Sequence, residues 1–156
     1  MSRLPQVKIY TDGSCLSGAK GEGGYGIIME LEGTNYKRYY KKGFSMTTNN
    51  RMELMAVVDA LKKLKKKCKV EVLSDSKYVV DGVNKKWVFR WEKELFVDRK
   101  NADLWKEFLI EYRKHYVTMT WIKGHNGHPQ NDACDIMAYK AAKGKILHKD
   151  LEDESI

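Results

Sequence analysis

Hydrophobic and polar residues alternate along the first part of the chain, which predicts β-strands. The alternation begins in QVKIYTD, resumes after a Gly-rich turn in YGIIMELEG, and occurs again in YKRYYKKGFS. A period of two is typical of a strand with one buried face. The three segments follow one another directly, so they predict a three-stranded antiparallel meander.

From Thr48 the spacing of the hydrophobic residues becomes helical. One face of the predicted helix carries Met52, Met55, Ala56, Leu61 and Leu64. The helix ends in a lysine-rich stretch, Lys62 to Lys69, which suits the negative end of the helix dipole and which we interpret as a solvated helix end.

The second half of the chain predicts two more strands and three more helices. The strands are VEVLSD and VTMTWIK; the helices begin near Ser76, after a capping Asn101, and near Asn131. An aromatic and basic segment, KKWVFRWEKELF, lies between the first two of these helices and is assigned to neither a helix nor a strand.

The predicted order is therefore βββαβααβα. Crossover connections between parallel strands are right-handed, which groups the first, fourth and fifth strands in parallel and leaves the second and third as an antiparallel edge. The fold class is α/β, with a five-stranded mixed sheet flanked by helices. In such sheets a site forms beyond the carboxyl ends of the parallel strands.

Length and composition indicate one domain. The chain has 156 residues, of which 42% are hydrophobic, and we expect a single domain over residues 1–146 and an acidic, flexible tail over 147–156. No apolar stretch approaches the roughly 18 residues of a membrane span, and the N-terminus lacks the apolar core of a secretion signal, which predicts a cytoplasmic protein. The three cysteines have no metal-binding spacing and are expected to be reduced thiols.

The net charge narrows the range of binding partners that we expect for this protein. It is +8 for the whole chain, and leaving out the four acidic residues from Asp150 onward raises it to +12 for residues 1–149. The electrostatic field of such a charge attracts polyanions, of which nucleic acids are the most obvious.

Four carboxylates stand where the predicted fold places its site. Asp12 and Asp75 end the first and fourth strands, Glu53 lies near the start of the first helix, and Asp135 lies in the last helix. Converging carboxylates need a cation to stay ionised, and oxygen donors without sulfur favour Mg²⁺ or Mn²⁺ over Zn²⁺. Two such ions can activate water and stabilise the leaving oxygen of a phosphodiester.

Each acid also has a purely structural alternative. Asp12 could form an Asx turn, and Glu53 could complete a capping box with Asn50. Asp75 could cap the following helix, and Asp135 could interact with the positive end of its own helix. Taken singly these roles remain open, but they do not explain why four acids converge in a basic body.

Several blocks of sequence resemble type 1 ribonuclease H. The blocks are YTDGSC from Tyr10, GGYG from Gly23, TTNNRMEL from Thr47, SDS from Ser74, KGHNGHP from Lys123, Asn131, and CD at Cys134. The resemblance covers about residues 6–143. It implies a ribonuclease H-like fold and hydrolysis, without sequence specificity, of the RNA strand of an RNA/DNA hybrid, leaving 5′-phosphate and 3′-hydroxyl ends.

The resemblance also assigns the reacting groups. It implies that Asp12, Glu53, Asp75 and Asp135 hold two Mg²⁺ ions, for which Mn²⁺ could substitute. It implies that His125, in a loop, assists proton transfer or product release, so its loss should weaken activity without abolishing it. The alternative for His125 is a backbone hydrogen bond, and zinc at His125, His128 and Cys134 is disfavoured by their spacing.

The substrate contacts that the resemblance implies are short polar groups. Gly13, Ser14, Cys15, Asn49 and Asn50 would contact the hybrid in its minor groove, where the RNA displays its 2′-hydroxyls. Thr48, Asn50 and Ser76 would grip a phosphate of the DNA strand. The alternative for the two asparagines is helix capping, which is compatible with substrate contact.

Three further contacts come from basic and aromatic residues. Lys77 stands where many members of the family have a glutamine, and its alternative is a solvated lysine. Lys86 and Trp87 belong to a segment, residues 85–100, that resembles a shortened form of the family's basic protrusion. Trp87 and Trp91, four residues apart, could instead be packing residues.

A catalytically weak hybrid-binding module is the alternative function, and a transposase or junction resolvase with the same general fold is a third. We expect a monomer that acts on RNA/DNA hybrids, without a membrane, a small-molecule cofactor or an additional N-terminal hybrid-binding domain.

Overall fold

Five strands form one mixed sheet in the order β3-β2-β1-β4-β5. The structure, a computed structural model, describes residues 3–124 and 127–151. The strands are β1 (Gln6–Cys15), β2 (Lys20–Leu31), β3 (Lys37–Thr48), β4 (Lys69–Ser74) and β5 (Tyr116–Trp121). The helices are α1 (Asn49–Lys62), α2 (Lys77–Asn84), α3 (Trp87–Lys93), α4 (Ala102–Tyr112) and α5 (Pro129–Ala142).

The pairing of the strands confirms the predicted sheet. β1 runs parallel to β4, and β4 runs parallel to β5. β2 is antiparallel to both β1 and β3. In the β1–β4 pair Tyr10 lies opposite Leu73, so the carboxyl ends of the two strands, with Asp12 and Asp75, lie side by side.

The helical region contains one helix more than predicted, so the order is βββαβαααβα. The additional helix is α3, which forms within the aromatic and basic segment. Val88 is completely buried, and Trp91 packs against the Trp105 ring with 5.9 Å between ring centroids. Lys86, in the left-handed conformation with φ 65°, separates α3 from α2. This packing against α4 is tertiary, so a local pattern of charged and aromatic residues did not reveal it.

Asn101 does not cap α4 with its side chain, contrary to the prediction. It stands at the position before the helix with φ 62° and makes no side-chain capping bond. Its amide instead donates to the Tyr78 hydroxyl at 3.0 Å and accepts from Arg51 at 3.3 Å. The Asn101 side chain thus connects the start of α4 to α2 and α1.

The hydrophobic core lies on both faces of the sheet. The larger part, which includes Ile9, Ile27 and Trp105, lies between the sheet and α1 with α4. The smaller part joins Tyr10 and Ile28 to Cys134 of α5. Alternate residues of β1 therefore face α1 and α5 in turn.

Part of the expected flexible tail packs against the domain. The His148 amide donates to the Gly43 carbonyl at 2.8 Å, and the Ser45 amide donates to the His148 carbonyl at 2.9 Å. Asp150 is only 2% exposed. The last described residues therefore extend the β3 edge of the sheet, and residues 152–156 lie outside the part of the chain that the structure describes.

Arg51 connects this C-terminal segment to two helices. Its guanidinium is 1% exposed and donates to both oxygens of Asp150, at 2.7 and 2.8 Å, and to both oxygens of Asp103, at 2.9 and 2.8 Å. Thr47 adds a hydrogen bond to Asp150 at 2.7 Å. The bonds from Arg51 lower the pKa of the Asp103 carboxyl. Bidentate pairs of this kind fix orientation as well as charge.

None of the helices among residues 3–124 and 127–151 has the length and hydrophobicity that crossing a membrane requires.

The Asp150→Asn substitution should destabilise the protein by roughly 3 kcal/mol, because it leaves a buried guanidinium short of one negative partner. Urea unfolding of both forms measures the difference. The control is Glu107→Gln, which removes an exposed ion pair with Lys62 at 3.1 Å and should cost less than about 1 kcal/mol. Equal effects of the two substitutions would contradict a structural role for Asp150.

Candidate active site

Three carboxylates converge at the carboxyl end of β1. Asp12 lies on β1, Glu53 on α1, and Asp75 directly after β4. One oxygen of each can be chosen so that all three lie within 4.8 Å of one another. Asp12 and Glu53 are each 5% exposed and Asp75 is half-buried. The structure therefore brings together three of the four acids that were expected to converge.

The close approach of α1 to β1 depends on Gly13. A Cβ atom at this position would lie 2.5 Å from the Glu53 amide nitrogen and 2.8 Å from the Met52 Cβ. Both distances are shorter than side chains tolerate, so any other residue would push α1 away. Gly13 therefore allows the Glu53 carboxyl to stand beside Asp12.

Burial and mutual repulsion change the ionisation of the cluster. Burial, followed by the negative charge of Asp75, raises the pKa of Asp12 to about 8. Burial, followed by the charge of Asp12, raises the pKa of Glu53 well above its ordinary value. The three groups consequently cannot all be ionised at neutral pH without a compensating positive charge.

The cluster fits a divalent cation. The Glu53 Oε1 atom is buried and has no hydrogen-bond partner among the described residues. An acceptor in this situation is costly to bury unless something outside the protein chain satisfies it. The donors are carboxylate oxygens without sulfur, which suits Mg²⁺ or Mn²⁺.

Asp135 stands at the edge of the cluster. It lies on α5, is half-buried, and its charge contributes to the raised pKa of Asp12. Its carboxyl is not part of the group within 4.8 Å. The glycines of β2 bring α5 this close: a Cβ at Gly26, which pairs with Asp12, would lie 2.5 Å from the Cys134 carbonyl oxygen.

The thiol of Cys134 is not a suitable metal ligand. Burial, followed by the charge of Asp12, raises its pKa far above the ordinary value for cysteine. Its Sγ atom lies 3.3 Å from the Tyr10 carbonyl oxygen, to which it donates. A protonated thiol in this position argues against the zinc alternative. His125 lies outside the described residues.

The backbone of Asp75 is held by a tryptophan that the sequence did not single out. The Trp121 indole N–H donates to the Asp75 carbonyl oxygen at 3.1 Å. On the other side, Gly124 lies so close that a Cβ there would be 2.6 Å from Asp75 Oδ2. Trp121 is 46 residues away along the chain, so no local pattern could link the two.

The structural alternatives for the four acids do not account for them. Asp12 lies inside β1, where its Oδ1 accepts from the Gly13 amide at 2.9 Å, and not in a turn. Thr48, and not Asn50, is the cap of α1, which excludes a capping box with Glu53. Ser76, and not Asp75, caps α2. Asp135 lies beyond the first turn of α5, where Asp132 stands instead.

The residues expected to contact the DNA strand lie at the starts of α1 and α2. The Thr48 hydroxyl accepts from the Arg51 amide at 3.2 Å, and the Ser76 hydroxyl accepts from the Val79 amide at 3.3 Å. Asn49 and Asn50 are exposed in the first turn of α1. A cavity of about 490 Å³ opens there, lined by Thr48, both asparagines, Ala19, Lys20, Lys100 and Asn101. Ser14 and Cys15 are half-buried at the end of β1.

The remaining predicted contacts lie on basic and aromatic side chains. Lys77 is exposed, with its Nζ atom 4.8 Å from the centre of the Trp121 ring. Lys86 is exposed, and Trp87 is half-buried with Lys85 Nζ 5.6 Å above its ring. Trp91 packs against the hydrophobic core, which confirms the packing alternative for Trp91.

Comparison with known proteins decides the family. The model of the family described as RNase H matches residues 5–143. The chain belongs to the ribonuclease H family. It is therefore an enzyme of the nuclease class that depends on metal ions and binds nucleic acid, and the predicted fold and family are confirmed.

Relatives named Ribonuclease H match almost the whole chain. The protein from Shewanella amazonensis is 45% identical over 153 residues, covering 93% of this chain and 94% of its own length. The protein from Aliivibrio salmonicida is 46% identical over 145 residues, covering 90% of each.

Solved ribonuclease H structures share the fold. The crystal structure of LC9-RNase H1, a type 1 RNase H with the type 2 active-site motif, has a TM-score of 0.83 and 29% identity, over 99% of this chain and 82% of its own. LC11-RNase H1, whose crystal structure contains an RNA/DNA hybrid, has a TM-score of 0.67 and 20% identity, over 88% of this chain and 96% of its own.

This ribonuclease H family member should lose stability without metal as the pH rises from about 4 to about 8. The folded state has the higher pKa for Asp12, so it retains a proton that the unfolded chain has already released. Asp12→Asn should therefore raise the free energy of unfolding at pH 8 by at least about 1 kcal/mol, and by much less at pH 4.

Thermal and urea unfolding in EDTA at the two pH values measure this difference. Asp98→Asn, at an exposed position outside the site, serves as the control and should be nearly neutral. The same gain at both pH values would contradict a raised pKa of Asp12 in the folded state.

Proposed function

We propose that the protein hydrolyses the RNA strand of RNA/DNA hybrids with two Mg²⁺ ions, leaving 5′-phosphate and 3′-hydroxyl ends and cutting without sequence specificity. The observation that carries this proposal is the convergence of Asp12, Glu53 and Asp75 at one end of the sheet in a member of the ribonuclease H family. The hybrid bound to the related LC11-RNase H1 supports the choice of substrate.

The metal ligands we propose are Asp12, Glu53, Asp75 and Asp135. When bound, two divalent ions supply activation of the attacking water and stabilisation of the leaving oxygen. Glu53 Oε1 has no hydrogen-bond partner among the described residues, and the pKa of Asp12 is raised. Both support cation binding, because a cation would accept the electron pairs of Glu53 Oε1 and would lower the pKa of Asp12. All four acids belong to one chain, which supports action as a monomer without a small-molecule cofactor.

The protein residues around the metal ligands would orient the substrate. Thr48 and Ser76 each accept one backbone hydrogen bond, which leaves their hydroxyl protons free to be donated to a phosphate of the DNA strand. Asn50, exposed beside Thr48, can donate to the same phosphate. These groups carry no net charge, so they would position one phosphate and leave most of the electrostatic attraction to lysines.

The RNA strand would be recognised by its sugar. Asn49, Asn50 and the backbone of Gly13, Ser14 and Cys15 offer both donors and acceptors to 2′-hydroxyl groups, which distinguish RNA from DNA. Lys77 would contact a phosphate nearby. His125 is proposed, on the resemblance, to assist proton transfer or product release.

The catalytic domain is proposed to span residues 1–146, with Leu147 to Leu151 packed along its β3 edge. A cytoplasmic location remains a prediction.

Asp75→Asn should abolish nearly all cleavage while hybrid binding stays measurable, because the substitution removes a metal ligand and no phosphate contact. The assay follows an end-labelled RNA/DNA hybrid with Mg²⁺. Single-stranded RNA, duplex RNA and duplex DNA are tested beside it, and one sample contains EDTA. Asp81→Asn is the matched control and should retain activity, because Asp81 lies on α2, six residues after Asp75, and outside the carboxylate cluster.

The outcomes separate three functions. Cutting confined to the RNA of the hybrid and abolished by EDTA is expected. Binding without cutting by the unaltered protein would favour a hybrid-binding module, and cutting of DNA would overturn the proposed substrate. Full activity of Asp75→Asn would remove Asp75 from the site.

Trp87→Ala should raise the apparent KM for the hybrid more than it lowers kcat. Trp87 is half-buried, lies outside the carboxylate cluster, and follows the exposed Lys85 and Lys86, so its loss should weaken strand binding and leave the chemistry intact. Steady-state kinetics on a hybrid substrate measure both constants. Trp91→Ala is the contrasting variant, and it should lower the melting temperature, because Trp91 packs against the core.

A further inference from the structure

The indole of Trp121 contacts two groups of the proposed active site. Trp121 ends β5 and is 42% exposed. Its indole N–H donates to the Asp75 carbonyl oxygen at 3.1 Å, and the Lys77 Nζ atom lies 4.8 Å from the centre of its ring. A proposed metal ligand and a proposed phosphate contact therefore meet on one side chain to which neither the family resemblance nor the motifs assign a role.

The register of the sheet fixes Trp121 in this place. β5 runs parallel to β4, with Trp121 opposite Ser74, the residue before Asp75. Trp121 lies two residues after Met119, and alternate residues of a strand face the same side of the sheet. Met119 belongs to the buried core that includes Val79 of α2, so Trp121 faces α2 as well. The indole is thereby directed at the turn that joins β4 to α2.

The Asp75 backbone depends on contacts in this turn. The pairing of β4 with β5 ends at Ser74, so Asp75 lies just beyond the regular hydrogen bonds of the sheet. The Ser74 hydroxyl accepts from the Ser76 amide at 3.0 Å, and the Trp121 indole holds the carbonyl oxygen between them. Gly124 approaches the carboxyl so closely that a Cβ there would lie 2.6 Å from Asp75 Oδ2. The end of β5 and the residues after it therefore restrain both the backbone and the carboxyl group of Asp75.

Lys77 stands where a positive charge is unfavourable. It is the first residue of α2, at the positive end of the helix dipole, and the first turn of α2 contains no acidic residue. Within residues 3–124 and 127–151, no ion pair involves Lys77. The face of an indole attracts a cation that lies within about 6 Å of the ring. The Trp121 ring thus offsets part of the cost and limits the movement of an exposed, flexible side chain.

We propose that Trp121 is a positioning residue of the active site, whose indole N–H fixes the Asp75 backbone and whose ring holds the Lys77 ammonium group. The inference rests on the proposed function, because it takes Asp75 as a metal ligand and Lys77 as a phosphate contact. The indole N–H is the only polar group of the Trp121 side chain, and a backbone carbonyl occupies it. Trp121 therefore acts through its two neighbours and not on the reacting atoms.

The two parts of the side chain predict different losses. Residues that orient metal ligands typically affect metal affinity by roughly 10- to 100-fold. The Trp121 bond reaches the backbone of Asp75 and not the carboxylate itself, so we expect the lower end of this range when the N–H is removed. An exposed contact between a cation and an aromatic ring corresponds to about threefold in binding, which we expect for hybrid affinity when the ring is removed.

The first test measures metal affinity without turnover. Trp121→Phe keeps an aromatic face for Lys77 and removes the N–H, so it should weaken Mn²⁺ binding to the free protein by about tenfold. The electron paramagnetic resonance signal of unbound Mn²⁺ measures this affinity, and Asp75→Asn provides the reference for complete loss of the ligand. Hybrid binding in EDTA and the KM for the hybrid should stay nearly unchanged, and the lost cleavage should return as the Mg²⁺ concentration is raised.

The matched control for this test is Trp105→Phe. The Trp105 indole also donates one hydrogen bond, to the Tyr78 hydroxyl at 2.8 Å, but Trp105 is completely buried in the core. The substitution should therefore lower the melting temperature at least as much as Trp121→Phe does. It should leave the affinity for Mn²⁺ unchanged, which separates the positioning of Asp75 from a general loss of stability.

The second test is a double-mutant cycle on hybrid binding, measured by fluorescence anisotropy in EDTA. Trp121→Leu should weaken binding by about threefold in the unaltered protein and should have almost no further effect in Lys77→Met, because both substitutions remove the same contact. The control cycle replaces Lys77→Met by Lys69→Met, which removes the same charge at the opposite end of β4. In that cycle the two losses should multiply.

Three results would overturn the inference. Unchanged Mn²⁺ affinity in Trp121→Phe would show that the indole bond does not position Asp75. An equal loss of Mn²⁺ affinity in Trp105→Phe would show a response to stability alone. Losses that multiply between Trp121→Leu and Lys77→Met would show that the ring and the ammonium group act separately. Both tests measure binding, so a protein that binds Mn²⁺ and the hybrid as expected but cuts no hybrid would overturn the proposed function alone.

Discussion

The repulsion between carboxylates that the fold forces together is the constraint on which the rest of the structure depends. Asp12 and Glu53 are almost completely buried, and Asp75 lies within 4.8 Å of both. Burial of Asp12, followed by the negative charge of Asp75, makes this arrangement unfavourable, as the raised pKa of Asp12 shows. The remainder of the protein therefore has to hold α1, β1 and β4 together against this repulsion. A bound divalent cation would attract all three carboxylates and so offset their repulsion.

The scaffold supplies this restraint through contacts distributed around the cluster. Parallel pairing of β1 and β4 aligns Asp12 with Asp75, and Gly13 allows α1 to pack close enough to bring Glu53 to them. Arg51, two residues before Glu53, ties α1 to α4 and to the C-terminal segment through two bidentate ion pairs. The buried charge of Arg51 is neutralised by neighbours that are not metal ligands, so it does not compete with a cation for the cluster.

Charge is divided between two ends of the molecule. The carboxylates occupy the carboxyl ends of β1 and β4, while lysines cluster at the C-terminal end of α1. The basic body attracts a polyanion over a distance of about one Debye length, roughly 8 Å at physiological ionic strength, and the carboxylate cluster is where we propose that the chemistry occurs. This division explains how a protein with a buried cluster of carboxylates can still carry a net charge of +8.

Local features of the chain were sufficient to predict much of this protein. The periods of hydrophobic residues predicted every strand, and Asp12 and Asp75 could be placed together because they end strands that crossover rules make parallel. The blocks around Asp12, Glu53 and His125 indicated the ribonuclease H family, which comparison confirmed. These features can be predicted from the sequence because strand period, strand end and motif spacing depend on residues that are close together along the chain.

Tertiary structure decided the features that join residues distant along the chain. Arg51 and Asp150 are 99 residues apart, and nothing near Asp150 distinguishes a buried anchor from part of an acidic tail. Helix α3 exists because Trp91 packs against Trp105, Thr48 rather than Asn50 caps α1, and Lys63 meets Tyr40 only after β3 and α1 are folded together. Burial and pairing of this kind depend on which surfaces meet, and hydrophobic periodicity specifies the surfaces without specifying their partners.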